Sequence, residues 1–295
     1  MGSTVDDAAG VPDGDRRDGV GAPVEDLATV WSAPPPDRAT DRAPPPAPGI
    51  PGVTAAEPPV PAAPPRRTHR WGLGAYVVVE VVFLGTSVLL GLFLAGDGPM
   101  TAGVLAVSLA APSVLAAGTA LLITRVRGNG PRIDLGLEWS WRDVGIGLAF
   151  GFGGLLITVP ASILYVAIAG QDSTSAVGEV FDDVRAGPLL AVTVLLIVVV
   201  VAPVCEEIVY RGLLWGGVER LGAGRWGALG VTTVLFALAH FEFERTPLLL
   251  VVALPIAFAR LYTNRLPASI VAHAVNNLLP GISLTLMLLG LLPTV

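Results

Sequence analysis

From residue 71 to residue 295 the chain is a near-continuous series of apolar stretches, each about the length that crosses a bilayer. A helix needs roughly 20 apolar residues to span the hydrocarbon core. Inside that core no water is available to bond a free backbone N–H or C=O, so a lone segment has to be helical. Apolar runs fit helices at 73–95, 101–124, 144–170, 188 to about 214 or beyond, 226–243, 247–262, 268–279 and 282–292. The expected fold is all-α, a polytopic transmembrane bundle of about eight helices. The last two are short, and seven helices result if they merge.

Residues 1–70 are of another kind. They carry Pro34-Pro35-Pro36, Pro44-Pro45-Pro46 and Pro58-Pro59, and residues 1–65 hold ten acidic residues against four Arg. Too little apolar surface is present to offset the entropy of folding, so this segment reads as a disordered, Pro-rich acidic tail. No cleavable signal peptide is expected from that acidic start, and the first apolar run reads as an uncleaved anchor. The organisation predicted is a tail at 1–70 and a transmembrane domain at 71–295.

Arg placement predicts orientation. Positive residues favour cytoplasmic segments. With the tail cytoplasmic, the inner segments carry Arg66, Arg67, Arg70, Arg125, Arg127, Arg132, Arg142, Arg211, Arg220, Arg225, Arg260 and Arg265; the outer ones carry Arg185 and Arg245. Both termini are then cytoplasmic, in a multi-pass protein of the cell membrane. The loop at 171–187, with Asp172, Glu179, Asp182 and Asp183, falls outside. No basic footprint for nucleic acid is present, and a single cysteine excludes an intrachain disulfide.

Against this apolar background a few polar residues stand out: Glu206, Glu207 and Arg211 on the fourth helix, His240 at the end of the fifth, His273 and Asn277 on the seventh. Each charge near the bilayer centre costs about 2.5–3.5 kcal/mol on insertion scales, and three cost on the order of 9 kcal/mol before pairing. Four-residue spacing puts Glu207 and Arg211 on one face as a pair, and likewise Glu206 with Tyr210, Phe236 with His240, and His273 with Asn277. The run Leu221-Gly222-Ala223-Gly224-Arg225 reads as a tight turn. Centred on Ala223, it sets Glu206 and His240 level in an antiparallel hairpin. A carboxylate beside an imidazole can activate water. A second His and an Asn amide can donate to an oxyanion. This is chemistry for hydrolysis of an amide bond. The bland reading is an ion pair at a helix end with interhelical hydrogen-bonding histidines. The conjunction of six such residues weighs against it. Glu80, inside Val77-Val78-Val79-Glu80-Val81-Val82, reads as a helix-packing residue, with a place on a cavity wall as the alternative. His69 reads as interfacial, and Cys205 as a small packing residue.

Three motifs carry a family resemblance. Glu206-Glu207-Ile208-Val209-Tyr210-Arg211 resembles the E-E-x-x-x-R motif of the CAAX-protease and bacteriocin-processing (CPBP) family, Phe236-Ala237-Leu238-Ala239-His240 its F-x-x-x-H, and His273-Ala274-Val275-Asn276-Asn277 its H-x-x-x-N. The resemblance implies a protease core at 188–282. It implies an intramembrane endopeptidase in which Glu206 activates water beside His240, His273 and Asn277 stabilise the oxyanion, and Glu207 and Arg211 support them. The substrate implied is a membrane-associated or amphipathic peptide, met within the lipid bilayer. The alternative on the same fold is a non-enzymatic scaffold or bacteriocin self-immunity protein. A proton-coupled transporter is a weaker reading, since no inverted hydropathy repeat is visible. The cofactor stays open: family members are commonly labelled metalloproteases, and bound Zn²⁺ would take His240, His273 and Glu206. The H-E-x-x-H zinc signature is absent, because His240-Phe241-Glu242-Phe243-Glu244 lacks the second His.

Overall fold

A computed structural model describes residues 70–94, 101–170 and 184–292. Among these every regular element is helical. The tail, His69 and the acidic residues of the 171–183 segment lie outside the described residues. Residues 63–295 form one unit.

The helices are α1 (Leu73–Leu94), α2 (Ala102–Arg127), the short α3 (Pro131–Asp134) and α4 (Trp141–Ala169). A long helix α5, residues 188–223, follows, then α6 (Gly224–Leu238), α7 (Thr246–Thr263), α8 (Leu266–Asn276) and α9 (Leu278–Leu288). Local chemistry starts and stops them. Thr101 caps α2 by accepting from the Val104 N–H at 3.3 Å, and Ser140 caps α4 by accepting from the Asp143 N–H at 3.1 Å. Each cap satisfies a donor that the first turn leaves free. Arg125 and Arg127 lie in the last turn of α2, where the helix dipole favours positive charge.

All eight apolar stretches are helical. Among the described residues, five helices have the length and composition to cross a membrane when 188–238 is counted as one, and six when α8 and α9 count as one bent span. The last two stretches are two 11-residue helices bent by 43° at Asn277, each too short to cross alone. The helix expected at 226–243 is α6, which ends at Leu238, earlier than its apolar run suggests, and Phe241 takes a left-handed backbone at φ 56°. Large apolar side chains such as Leu92, Phe93 and Leu156 are exposed. Hydrocarbon accommodates such surface and water does not, in keeping with a multi-pass membrane protein.

Two arrangements position the polar cluster. First, Gly222 at φ 84° folds α6 back along α5. Tyr210 and Phe236, thirteen residues either side of Ala223, meet edge to face with ring centroids 5.4 Å apart. The hairpin register read from the sequence is thus the observed one. Second, α4 packs closely on α8 and α7 through Gly147, Gly151 and Gly154. A Cβ at Gly147 would lie 2.6 Å from the Ala268 carbonyl oxygen, one at Gly151 2.6 Å from Val275 Cβ, and one at Gly154 2.9 Å from Pro255 Cβ. Small residues let membrane helices approach this way, and here they set the seat of α8. At the other end of α5, the Arg220 guanidinium lies 3.9 Å from the Trp71 ring, whose indole N–H donates to Asp134 at 3.0 Å.

Candidate active site

Helix α5 is not α-helical throughout. It widens to π-helix at Ile197–Val201, Ile208–Leu214 and Glu219–Ala223. A π-bulge leaves a carbonyl without its usual partner, and such bulges are frequent at functional sites. The Ala202 N–H bonds to Ile197 O, so Val198 O is released; the Trp215 N–H bonds to Gly212 O and Tyr210 O, so Arg211 O is released. Both carbonyls are taken by side chains from other helices. Asn277 Nδ2 donates to Val198 O at 3.1 Å, and Arg260 Nε donates to Arg211 O at 2.9 Å. Glu206 and Glu207 sit between these two anchor points.

The two carboxylates have separate environments. Glu207 is fully buried, and its Oε1 accepts from Arg211 Nη1 at 3.1 Å and from His273 Nδ1 at 3.0 Å. The same-face pair expected from the sequence is present, with His273 as a third member that spacing along one helix could not show. Glu206 is partly exposed, on the wall of a cavity of about 660 Å³. Its Oε2 stands 3.7 Å from His273 Nε2, beyond hydrogen-bond range. His273 therefore bridges the two carboxylates, bonded to one and facing the other.

His240 belongs to the same cavity wall. Its Nδ1 lies 2.8 Å from Phe236 O. A carbonyl can only accept, so Nδ1 carries the proton, and in the neutral ring Nε2 keeps a free lone pair. Phe236 is the hub of the site. Its ring lies 4.8 Å from the His240 ring and 5.5 Å from the His273 ring, and the Arg211 guanidinium stands 4.3 Å from its centroid. The Phe of the F-x-x-x-H run thus spaces both imidazoles and covers the buried ion pair.

All six predicted site residues are brought together from α5, α8 and the end of α6. Glu206, His240, His273 and Asn277 line the cavity, while Glu207 and Arg211 stand behind it. The ionic contact that Glu206 makes is to His273, not to His240 across the hairpin. No group of three or more His, Cys, Asp or Glu side chains among the described residues is arranged to hold a metal ion. His240, His273 and Glu206 do not fit a zinc tripod as placed. Four further charged residues stand at or behind the site, and the sequence reading singled out only Glu80 among them, with the cavity wall as its alternative place. Glu80 lies on the cavity wall rather than buried between helices, and Glu242 and Arg245 form an ion pair of 2.6 Å on the same wall. Arg260, counted from the sequence as a loop charge, is buried beneath Arg211. Only Glu80 gave a signal, as the one acidic residue in an apolar run.

Residues 188–279 match the model of a family described as type II CAAX prenyl endopeptidase Rce1-like. The matched segment holds all three of the motifs that resemble the CPBP family, and the likeness is to a family of CAAX-type endopeptidases. A protein of Bacillus subtilis (strain 168) described as a putative membrane peptidase, YdiL, is 27% identical over 151 residues, which cover 50% of this chain and 57% of that protein. The alignment thus spans less than two thirds of that relative. No solved structure matches.

Proposed function

We propose that the protein is an intramembrane endopeptidase that hydrolyses a peptide bond in a membrane-associated or amphipathic substrate, using water activated by Glu206 and His240. The observation that carries this reading is the division of labour between adjacent carboxylates. Glu207 is tied to Arg211 and His273, whereas Glu206 faces the cavity without a hydrogen bond among the described residues. His240 Nε2 offers a lone pair to hold the same water.

In the reaction Glu206 takes a proton as the water oxygen attacks the peptide carbonyl. The oxyanion forms against Asn277, whose second amide hydrogen remains free of the Val198 bond, and against His273. Donation from His273 Nε2 requires the doubly protonated ring, since Nδ1–H is already committed to Glu207. Glu206 then passes its proton to the leaving amine. The site lies in the cell membrane, with the tail and the 222–224 turn cytoplasmic.

The test compares cells carrying wild type and Glu206→Gln for membrane peptides that accumulate uncut. Loss of a general base lowers rates by about 10²–10⁴, so uncut peptides should appear in the variant alone. Near wild-type processing in both Glu206→Gln and His240→Ala would leave a non-enzymatic scaffold as the reading.

A further inference from the structure

Glu80 is on α1, outside the matched segment 188–279. It lines the same cavity as Glu206 and stands in electrostatic contact with the phenols of Tyr76 and Tyr210. Tyr76 is one turn before it on α1. Tyr210 is one turn after Glu206 on α5, and the two phenol rings meet edge to face at 6.1 Å. The other ionisable groups on the cavity wall are accounted for. Arg245 is paired with Glu242, His240 is bonded to Phe236 O, and His273 lies between Glu207 and Glu206. Among the described residues no Arg or His lies within ion-pair distance of Glu80. A carboxylate inside the bilayer without a counter-ion is costly and marks a functional site.

We infer that Glu80, with the phenols of Tyr76 and Tyr210, forms a subsite that takes a basic side chain, Lys or Arg, of the substrate peptide. The inference rests on the peptidase reading and names its substrate class. One carboxylate and two neutral phenols are too few ligands for a divalent cation, which takes six or more oxygens. They suit one ammonium or guanidinium group, and aromatic faces add attraction for it. The subsite's distance from the chemistry follows from α5. Tyr210 is four residues beyond Glu206, about 6 Å of helix rise. An extended peptide covers that in about two residues. The basic residue therefore lies about two positions from the scissile bond.

The experiment uses the full chain in nanodiscs of phosphatidylcholine, with empty nanodiscs as blank. Fluorescein-labelled Leu/Ala decapeptides with blocked ends carry Lys, norleucine or Glu at one position. Binding is read by anisotropy in a Glu206→Gln background, which prevents cleavage and removes the neighbouring carboxylate of the same cavity wall. The Lys peptide should bind about tenfold more tightly than the norleucine peptide, and Glu80→Gln should erase that difference. Glu80→Arg should make the Glu peptide the preferred one; where that variant does not fold, the near-isosteric Glu80→Gln alone decides. An equal Lys preference with and without Glu80→Gln overturns the inference. Cleavage of the same peptides with Glu206 intact separates the two readings. Peptides cut without regard to Glu80 defeat the subsite and leave the peptidase. Peptides bound through Glu80 and never cut do the reverse.

Discussion

Arg211→Met tests the buried network most directly. Arg211 and Glu207 both have fully buried side chains, and the 3.1 Å bond between them is the only ion pair with an Arg that Glu207 makes among the described residues. Met keeps much of the Arg stem's volume, so the cavity term is small and the charge term dominates. Removing one partner of a buried pair costs about 3–5 kcal/mol, because the survivor is left uncompensated. The His273 bond to the same Glu207 oxygen softens the loss, which puts the expectation near 3 kcal/mol. The chain carries its own reporter. Cys205 is the single thiol, is buried, and sits next to Glu206. Its sulfur has little exposure at the cavity wall, so a maleimide on a bulky polyethylene glycol chain labels it slowly in the closed bundle and faster when the bundle opens, and a gel shift counts the modified fraction. At tenfold per 1.4 kcal/mol, a 3 kcal/mol loss speeds labelling by roughly 100-fold. Glu207→Gln with Arg211→Met removes both charges and should recover at least half of that loss on the free-energy scale. Equal labelling rates for Arg211→Met and wild type, or strictly additive effects in the double variant, would refute the buried-pair argument.

Gly151→Ala puts a Cβ 2.6 Å from Val275 Cβ. The overpacking should cost about 1–3 kcal/mol by the same labelling assay, and Val275→Ala in the same chain should restore most of it. Arg260→Met should lower activity by removing the donor to Arg211 O, while Arg260→Lys, still a donor, should retain more; identical activity in both would remove Arg260 from the site's framework. Asn277→Ala should speed Cys205 labelling as well as slow turnover, because its amide also holds Val198 O; turnover lost with labelling unchanged would assign it to chemistry alone. A reporter fused at Ala223 should read as cytoplasmic, and deletion of residues 1–60 should leave membrane insertion and the protection of Cys205 as in the full chain.

The Arg count that motivates this orientation needs one revision. Arg211 and Arg260 are buried in the bundle, so they are not loop charges and do not bear on insertion. Ten inner Arg residues against two outer remain, and the bias survives. The error has a plain cause: hydropathy alone places an Arg at the edge of an apolar run, and cannot tell a headgroup-facing Arg from one folded back onto a carbonyl.

Helices and their faces were legible in the sequence by itself, because both are local. Backbone in hydrocarbon has to bond to itself, and the period of 3.6 residues puts Glu207 above Arg211 and His273 above Asn277. The Gly222–Gly224 turn is local too, so the meeting of Tyr210 with Phe236 could be placed by counting out from Ala223. The partners across helices were decided by the tertiary structure. Glycines on α4 let α8 approach until His273 reaches Glu207, and two π-bulges in α5 release carbonyls that Asn277 and Arg260 then take. A bulge follows from a balance among all the helices packed around α5, and no residue inside it announces it. For the same reason Glu80 is legible only as an anomaly in α1. Its place on the cavity wall beside Tyr210 comes from how α1 lies along α5, a contact between residues 130 positions apart that helical period cannot supply.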